Sequence, residues 1–575
     1  MNKDNAASFF TQAGNFSGSI SGGVDPRTGM YNLSIELGTL NGNNIQGPSF
    51  PVTLSYSPLS QGNPTGLGRG ISLGLSTYDT YSRQLSLSTG EQYQVYEQSG
   101  NVTVQQQKLD SFRFEKCKDG KYNYKVTYAN GNIEYLGSDD TSTLKPPALI
   151  VSAAGHTLQV GTDSHARLTD VSDETNTLLT VSYDSNGSTL VFYPGKAETY
   201  TIRLKTSNDT LRAIVRQAEG EPDMTWTLGY STMKTYGQWL TSLTSPSGMR
   251  ETVTYQNDGK THRFPVSAPA ELKSNPLPYV ISYVKEPGND QPDIVSKYTY
   301  SDDNFLGYNS GIGWDPIQDN LYNCLTDYQY CSVEIQAQGT DNETEITRTY
   351  NSYHLLVSTK TLSGKCTTLE ETNYYAISGR PFDNQPPQFQ CPTSTSTTWT
   401  DDRDEKNSLS RTEVVLTEFA ESGVPTKQTD ADGTVTAWEY YSAQGSGADC
   451  PAEPNGFTRF MKSKTVTPRK TTYSTPVHKT AYTYATFEHA GTDVRVLVMK
   501  ATEKHFADDV LLKTTSYQYG TKAANTAGIL TKKNDGLPRS DQQQAGVYDD
   551  RNCGFHRHER QRYRCSGFSL HLNQP

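Results

Sequence analysis

Short segments of alternating hydrophobic and polar residues cover most of this chain, and Gly, Pro and Asn residues separate them. Side chains two positions apart on a strand share a face, so this alternation predicts half-buried β-strands joined as hairpins and meanders. No apolar stripe with helical spacing continues for several turns. The pattern therefore predicts an all-β fold with an extended antiparallel sheet of hairpins.

One unit recurs in a fixed register, with a Gly or Asn turn residue, a large apolar residue five positions later and a tyrosine seven positions later. Gly, and less readily Asn, takes positive φ, so each unit predicts a tight reversal followed by a strand with one aromatic-bearing face. The alternative is the general preference of strands for Val, Thr and Tyr, and the identical spacing favours a repeat. The predicted repeat residues are Asn176, Val181 and Tyr183; Gly248, Val253 and Tyr255; and Gly433, Trp438 and Tyr440.

Length and composition narrow the functional class. A chain of 575 residues is longer than a typical domain with a single hydrophobic core, so several lobes or an extended repeat array are expected. Its 37 tyrosines suit wide amphipathic sheets, because tyrosine combines apolar area with a polar hydroxyl. A net charge of −11 argues against general nucleic-acid binding, which draws on Lys and Arg. No apolar run suits a membrane helix, and the N-terminal residues lack the apolar core of a signal peptide. We expect synthesis in the cytoplasm and, if the protein is exported, a Sec-independent route to the extracellular space or a target cell.

Changes in composition divide the chain into five predicted regions. A flexible N-terminus precedes an N-terminal β-region, a proline-rich linker or insertion, a β-region with degenerate repeats, and a tail rich in Arg and His. The interval between the second and third marked tyrosines is more than twice the first interval, which disfavours a regular solenoid or propeller. The regions span residues 1–14, 15–260, 261–293, 294–540 and 541–575.

The tail also contains the best metal-binding candidates, Cys553, His556, His558 and Cys565. Structural zinc sites usually have tighter paired spacing, so a disordered or frame-shifted tail is favoured over a metal site. The eight cysteines include no CxxC pair and predict no disulfide framework. No nucleophile elbow, HExxH helix or other catalytic motif is present, so no catalytic residue and no cofactor is predicted.

Several segments, in their order along the chain, resemble the N-terminal region of bacterial RHS/YD-repeat proteins. They are GGVDPRTGMYNLSIEL, GPSFPVTLSYSPL, GLGRGISLGLSTYD, STGEQY, GHTLQV and ARLTDVSDETNTLLTVSYD. The units ending in tyrosine look like degenerate YD repeats, and the resemblance covers roughly residues 15–535. It implies a β-shell whose strands spiral around a hollow interior that encloses a C-terminal toxin.

The implied partners are a toxin cargo domain or a downstream RHS segment, together with delivery-apparatus proteins. Family members continue into an autoproteolytic core segment, which has no match here, so the resemblance implies an incomplete shell truncated before that core. The leading hypothesis is a non-enzymatic scaffold. The alternative is a carbohydrate-binding cell-surface or secreted protein with a glycan partner, because aromatic faces can stack on sugar rings. An enzyme with an unrecognised site is the least favoured hypothesis.

Overall fold

Two small sheets precede the main sheet in the computed structural model, which describes residues 9–13, 15, 22–43, 47–60, 65–118, 120–138, 142–256, 261–404, 406–488, 496–520 and 530–536. The first small sheet contains β1 (Gly22–Val24), β2 (Tyr31–Asn41), β3 (Ser49–Tyr56) and β4 (Ile71–Ser72), paired in chain order. The second contains β5 (Thr77–Asp79), β6 (Gln84–Ser86), β7 (Gln92–Gln98), β8 (Asn101–Val104) and β12 (Leu144–Lys145), with β12 beside β5.

The main sheet contains 28 strands. They are β9 (Phe112–Lys116), β10 (Tyr124–Tyr128), β11 (Ile133–Leu136), β13 (Pro147–Val151), β14 (Thr157–Thr162), β15 (Leu168–Ser172), β16 (Thr177–Asp184), β17 (Gly187–Phe192), β18 (Tyr200–Ser207), β19 (Thr210–Gln217), β20 (Met224–Met233), β21 (Gly237–Thr244), β22 (Arg250–Gln256), β23 (Tyr279–Glu286), β24 (Ile294–Tyr300), β25 (Gln329–Gln336), β26 (Thr344–Asn351), β27 (Leu356–Ser363), β28 (Cys366–Tyr374), β29 (Pro392–Asp401), β30 (Leu409–Phe419), β31 (Pro425–Thr429), β32 (Val435–Tyr440), β33 (Met461–Thr467), β34 (His478–Glu488), β35 (Val496–Ala507), β36 (Val510–Tyr519) and β37 (Leu530–Gly536).

Each strand of the main sheet pairs antiparallel with the next one along the chain, β12 excepted. Within the described residues β9 pairs with β10 and β37 pairs with β36, and no pairing joins β9 to β37. Over the described residues the sheet is therefore open, with β9 and β37 as its two end strands. The predicted all-β fold with an extended antiparallel sheet is confirmed.

Helices contribute little to the described part of the chain. It contains α1 (Ala270–Ser274) and two short 3-10 helices, Asn320–Asn323 and Phe382–Asn384. No helix in these ranges has the length and apolar character needed to cross a bilayer.

The first sheet packs on one face of the main sheet, which we call the core-side face. A large apolar cluster fills this interface and includes Leu54 of the first sheet and Leu190 and Leu240 of the main sheet, all fully buried. The second sheet packs on β9–β11, where the Tyr78 ring lies 5.0 Å from Phe114 and 4.8 Å from Tyr124 between centroids. Both small sheets thus cover the early part of the main sheet.

The interval 261–293, interpreted from the sequence as a linker or insertion, contains α1 and β23. β23 pairs with β22 on one side and β24 on the other, so the main sheet continues through this interval. The reason is local, because the prolines lie before and after the strand while the segment YVISYVKE has none.

Candidate functional site

The turn Asp25–Gly29 anchors the first sheet to the main sheet. The Asp25 carboxylate, 1% exposed, accepts hydrogen bonds from the Arg27 amide at 2.9 Å and the Thr28 hydroxyl at 2.8 Å. Gly29 has φ of +70°, and a Cβ there would lie 2.6 Å from the Cβ of Tyr279. Glycine is required here both by the positive φ and by the close approach of the main sheet.

An aromatic cage surrounds His262 beside this turn. The centroid of its ring lies 4.8 Å from that of Tyr279, 5.1 Å from Tyr300 and 5.3 Å from Phe305. Burial lowers the pKa of His262 to about 3, because an imidazolium ion would be desolvated there. His262 is therefore a neutral packing residue at physiological pH.

A buried hydrogen-bonded chain joins three segments of the fold nearby. The His354 imidazole, fully buried, lies 2.9 Å from a carboxylate oxygen of Asp319 through Nε2 and 2.9 Å from the Tyr330 hydroxyl through Nδ1. The Arg27 Nε donates to the His354 carbonyl at 2.9 Å, and its guanidinium lies 4.8 Å from the Tyr350 ring centroid. These residue types recur in catalytic sites, but here the carboxylate and the imidazole are sealed from solvent and connect structural elements.

Tyrosines and β-bulges form a repeated contact along one rim of the main sheet. A bulge at Thr349/Tyr350 places Tyr350 opposite Leu356, the first residue of the next strand. The hydroxyl of Tyr374, at the end of the strand after that, donates to the Leu356 carbonyl at 2.9 Å. A bulge interrupts the ladder locally, and here the tyrosine hydroxyl bonds the carbonyl beside it.

The same arrangement occurs elsewhere along the sheet. Bulges place Thr162, Tyr440 and Tyr484 opposite Leu168, Met461 and Lys500, respectively. The corresponding donors are Tyr183 to the Leu168 carbonyl at 3.0 Å, Tyr484 to Met461 at 3.1 Å and Tyr519 to Lys500 at 2.8 Å. We call these four contacts the tyrosine rungs. Burial raises the pKa of Tyr183 to about 12, which keeps the hydroxyl protonated as a donor.

The structure places the first two predicted repeat units in the covered part of the sheet. Val181 is buried, and Tyr183 forms a rung beneath the Arg167 guanidinium, which lies 4.2 Å from the ring centroid. Val253 and Tyr255 are also buried, and the Tyr255 hydroxyl accepts from the Tyr31 amide at 3.3 Å.

The third predicted unit lies in a more exposed part of the sheet. Trp438 and Tyr440 are half-buried, and Tyr440 lies opposite Met461 at a bulge. Met461 supplies the carbonyl of a tyrosine rung. The three units are therefore far apart along the sheet and do not converge on one site.

The turn residues differ between the units. Gly248 and Gly433 have φ of +87° and +88°, as expected for tight reversals. Asn176 is not among the residues with positive φ. Its amide donates to Asp173 at 2.7 Å, and the same carboxylate binds the amides of Thr175 and Asn43 at 2.8 Å each. The Asp173 carboxylate therefore stabilises this reversal through hydrogen bonds, and no residue with positive φ is needed at Asn176.

Six consecutive strands, β27 to β32, have no buried residue on either face. Directly paired residues share a face, and the pairs from buried Tyr298 through Glu334, Ile346, Thr361 and Thr368 to Trp399 mark the core-side face. Thr367, adjacent to Thr368, therefore lies on the opposite face. At about 4.8 Å per strand this uncovered region is roughly 25 Å wide.

The main sheet curves so that its first strand contacts a much later part of the chain. The Arg113 guanidinium of β9 donates to the carbonyls of Asn455 and Gly456, between β32 and β33, and lies 4.4 Å from the Phe457 ring centroid. In return, Arg459 donates to the Asn130 carbonyl at 3.3 Å. The uncovered strands therefore belong to a curved wall that bends back toward its start.

A metal site is not evident in the described ranges. No group of three or more His, Cys, Asp or Glu side chains there could hold an ion. The candidates Cys553, His556, His558 and Cys565 lie outside the described residues.

Sequence reasoning missed the anchoring residues. Asp25 and Gly29 occur in the segment GGVDPRTGMYNLSIEL, but nothing in that segment predicted their contacts with the main sheet. No sequence pattern around Asp319 or His354 predicted their contact, because their hydrogen bond joins two loops that are separate in the sequence.

No family model matches the chain, and no curated protein matches it. The Tc holotoxin pore of Photorhabdus luminescens is similar with a TM-score of 0.31 and 9% identity, over 76% of this chain and 24% of that one. TcdB2-TccC3 without its hypervariable C-terminal region has a TM-score of 0.30 and 9% identity over the same shares. TcdB2-TccC3 has a TM-score of 0.23 and 10% identity, over 89% and 42%. The chain spans about a quarter of the length of the first two structures.

Proposed function

We propose that this chain is a non-enzymatic RHS-type scaffold that forms part of the wall of a β-shell around a toxin cargo. The observation that carries the proposal is the uncovered stretch β27 to β32, in a sheet that curves back toward its start. A sheet of a compact domain normally buries one face against another layer. A wall around a space needs no such layer, provided that both of its faces tolerate water.

The side chains of the uncovered strands suit that role. Thr and Ser dominate β29, PTSTSTTWTD, and Thr and Glu together make up most of β28, CTTLEETNY. β30 has the charged residues Arg411, Glu413 and Glu418. Backbone pairing and the tyrosine rungs hold such strands together without a deep apolar core. We propose the core-side face as the one that faces cargo, because the first sheet already lies on that side.

The test compares two adjacent threonines on opposite faces of β28, both half-buried. Thr368→Cys reports on the core-side face and Thr367→Cys on the opposite face. Each full-length variant is labelled with a maleimide, alone and co-expressed with the polypeptide encoded directly downstream, and the unsubstituted chain supplies the background from native cysteines.

We expect both positions to be labelled in the isolated chain and Thr368→Cys to be selectively protected in the co-expressed particle. Electron microscopy of the same particle should show a hollow bounded by the sheet. Equal protection of the two positions, or a solid particle with neither position protected, would contradict the proposal. Release from the producing cell by a Sec-independent route, with delivery proteins as partners, is part of the same proposal.

A second candidate function is glycan binding, favoured by one residue. Trp399 is 41% exposed on the core-side face, whereas the other four tryptophans are buried or half-buried. The Arg411 guanidinium lies over its ring, 5.9 Å from the centroid, and places hydrogen-bond donors next to the exposed indole. Binding on a glycan array that Trp399→Ala abolishes, and that Trp438→Ala retains, would support this candidate. An array with no signal above background would eliminate it.

A further inference from the structure

A short N-terminal segment, consisting of Phe9–Ala13 and Asn15, lies in a groove formed by distant parts of the chain. The Phe9 ring contacts Phe264 edge to face with centroids 5.3 Å apart, and Phe264 contacts Trp314 at 5.8 Å. At the other end of the segment Ala13 is fully buried. The apolar side chains of the segment are thus enclosed at both ends.

Polar recognition of this segment centres on Asp319, which is 2% exposed. One carboxylate oxygen accepts from the Thr11 hydroxyl at 3.0 Å and from the Gln12 amide at 2.7 Å. The same oxygen contacts His354 at 2.9 Å, and the other accepts from the Leu321 amide at 3.1 Å. His354 and the Leu321 amide therefore fix the position of the carboxylate within the groove. From this position it accepts hydrogen bonds from both a side chain and the backbone of the segment.

Amide side chains complete the groove. The Gln106 amide nitrogen donates to the Asp319 carbonyl at 2.9 Å, and its oxygen accepts from the Asp319 amide at 2.8 Å. The Asn15 side chain donates to the Gln92 carbonyl at 2.9 Å and accepts from the Gln92 amide at 2.8 Å. Two-point contacts of this kind select an amide side chain and a fixed chain direction.

Side chains, not a strand ladder, hold this segment in the described structure. The backbone bond within it joins the Asn15 amide to the Gln12 carbonyl, and the Gln12 amide bonds a carboxylate. The segment can therefore leave the groove without breaking a sheet. We propose that the groove is a peptide-binding site that also accepts the N-terminal segment of a second copy of this chain, so that two copies exchange N-terminal segments.

Chain length sets the geometry of such an exchange. Six residues separate Asn15 from Gly22, which gives seven Cα–Cα steps. An extended chain spans at most about 3.5 Å per step, so the connection reaches roughly 25 Å. The two copies must therefore meet close to the groove. A tethered segment competes at an effective concentration of about 1 mM, so exchange becomes visible when the intramolecular contact is weakened on one side.

Complementary full-length variants test this exchange. Phe9→Ala with Thr11→Val weakens the segment and leaves the groove intact, whereas Asp319→Asn weakens the groove and leaves the segment intact. We expect each variant alone to sediment as a monomer of 63.6 kDa. An equimolar mixture should contain a species of twice that mass, because the intact segment of one variant fills the intact groove of the other. If the mixture stays monomeric, the proposal is wrong.

A peptide measurement keeps the test valid if Asp319→Asn impairs folding. Fluorescein-labelled peptide of residues 8–15 should bind the segment-weakened variant at least tenfold more tightly than the unsubstituted chain, as measured by anisotropy. Unlabelled peptide should displace it, and a peptide with Phe9→Ala should not. Gln106→Ala added to the segment-weakened variant should reduce the binding. Absence of peptide binding by a folded segment-weakened variant would overturn the proposal, whatever the nature of the enclosed cargo.

Discussion

Replacing Gly29 with alanine should destabilise the contact between the two sheets far more than an equivalent change in an open turn. Gly248 is the matched control, because its φ of +87° is close to the +70° of Gly29 while its added Cβ would meet nothing within 4 Å. Left-handed backbone costs a non-glycine residue about 1–2 kcal/mol. Gly248→Ala should therefore reduce the free energy of unfolding by about that amount.

Gly29→Ala adds a steric cost to the same backbone cost. Its Cβ would lie 2.6 Å from the Tyr279 Cβ and 3.0 Å from the Tyr300 ring, so β23 and β24 would have to move. Overpacking of a core costs about 1–3 kcal/mol, which brings the expected total to about 2–5 kcal/mol. The Tyr279 Cβ belongs to a strand in the main sheet, so it cannot rotate away from the contact.

Urea unfolding followed by far-UV circular dichroism and intrinsic fluorescence measures the two changes. A long chain can unfold in stages, so the comparison uses the midpoint of the transition in which the core tryptophans become exposed. Trp239 is buried in that core and reports on it. If Gly29→Ala shifts this midpoint no more than Gly248→Ala does, the close approach of the two sheets contributes nothing and the reasoning fails.

Three further changes test individual contacts. Tyr374→Phe removes a rung to the Leu356 carbonyl and should lower stability by about 1 kcal/mol, whereas Tyr81→Phe, at a residue 88% exposed, should have no effect on the urea midpoint. Burial raises the pKa of the Glu134 carboxyl, so the native protein should lose stability as the pH rises above the ordinary carboxyl pKa of 4.5. Glu134→Gln should remove that loss in a series of denaturation curves from pH 4 to 8. Burial lowers the pKa of His262, so protonation in the unfolded state should reduce stability as the pH falls from 6.5 toward about 3. His262→Phe should make the free energy of unfolding less dependent on pH in this range. An unchanged pH dependence would contradict the conclusion that His262 is neutral in the folded protein.

The alternation of polar and apolar residues was enough to predict the fold class. It acts between near neighbours on one strand, and Gly248 and Gly433 supply the positive φ that their turns need. The spacing of tyrosine within the repeat likewise follows from side-chain alternation. These features are local, and local sequence specifies them.

The roles of the tyrosines depended on pairing between strands. The hydroxyl of Tyr374 on β28 donates to the Leu356 carbonyl on β27, 18 residues away. The bulge next to this carbonyl is on a third strand, β26. A bulge shifts the register by one residue and moves the following side chain to the other face. No spacing within one strand contains that information. The pairing of β23 within 261–293 likewise could not be read from the prolines, because they lie outside a strand that pairs with β22 and β24.

The amino-acid sequence alone determined that this protein is built from antiparallel β-hairpins with tyrosine-bearing faces, because these properties depend on residues a few positions apart. Tertiary structure decided which strands the first sheet covers, which remain open on both faces, and how Asp319 holds residues some three hundred positions away. Those contacts depend on the curvature of the whole sheet. That curvature is the sum of many small strand twists and bulges, and its outcome appears only when the complete chain is folded.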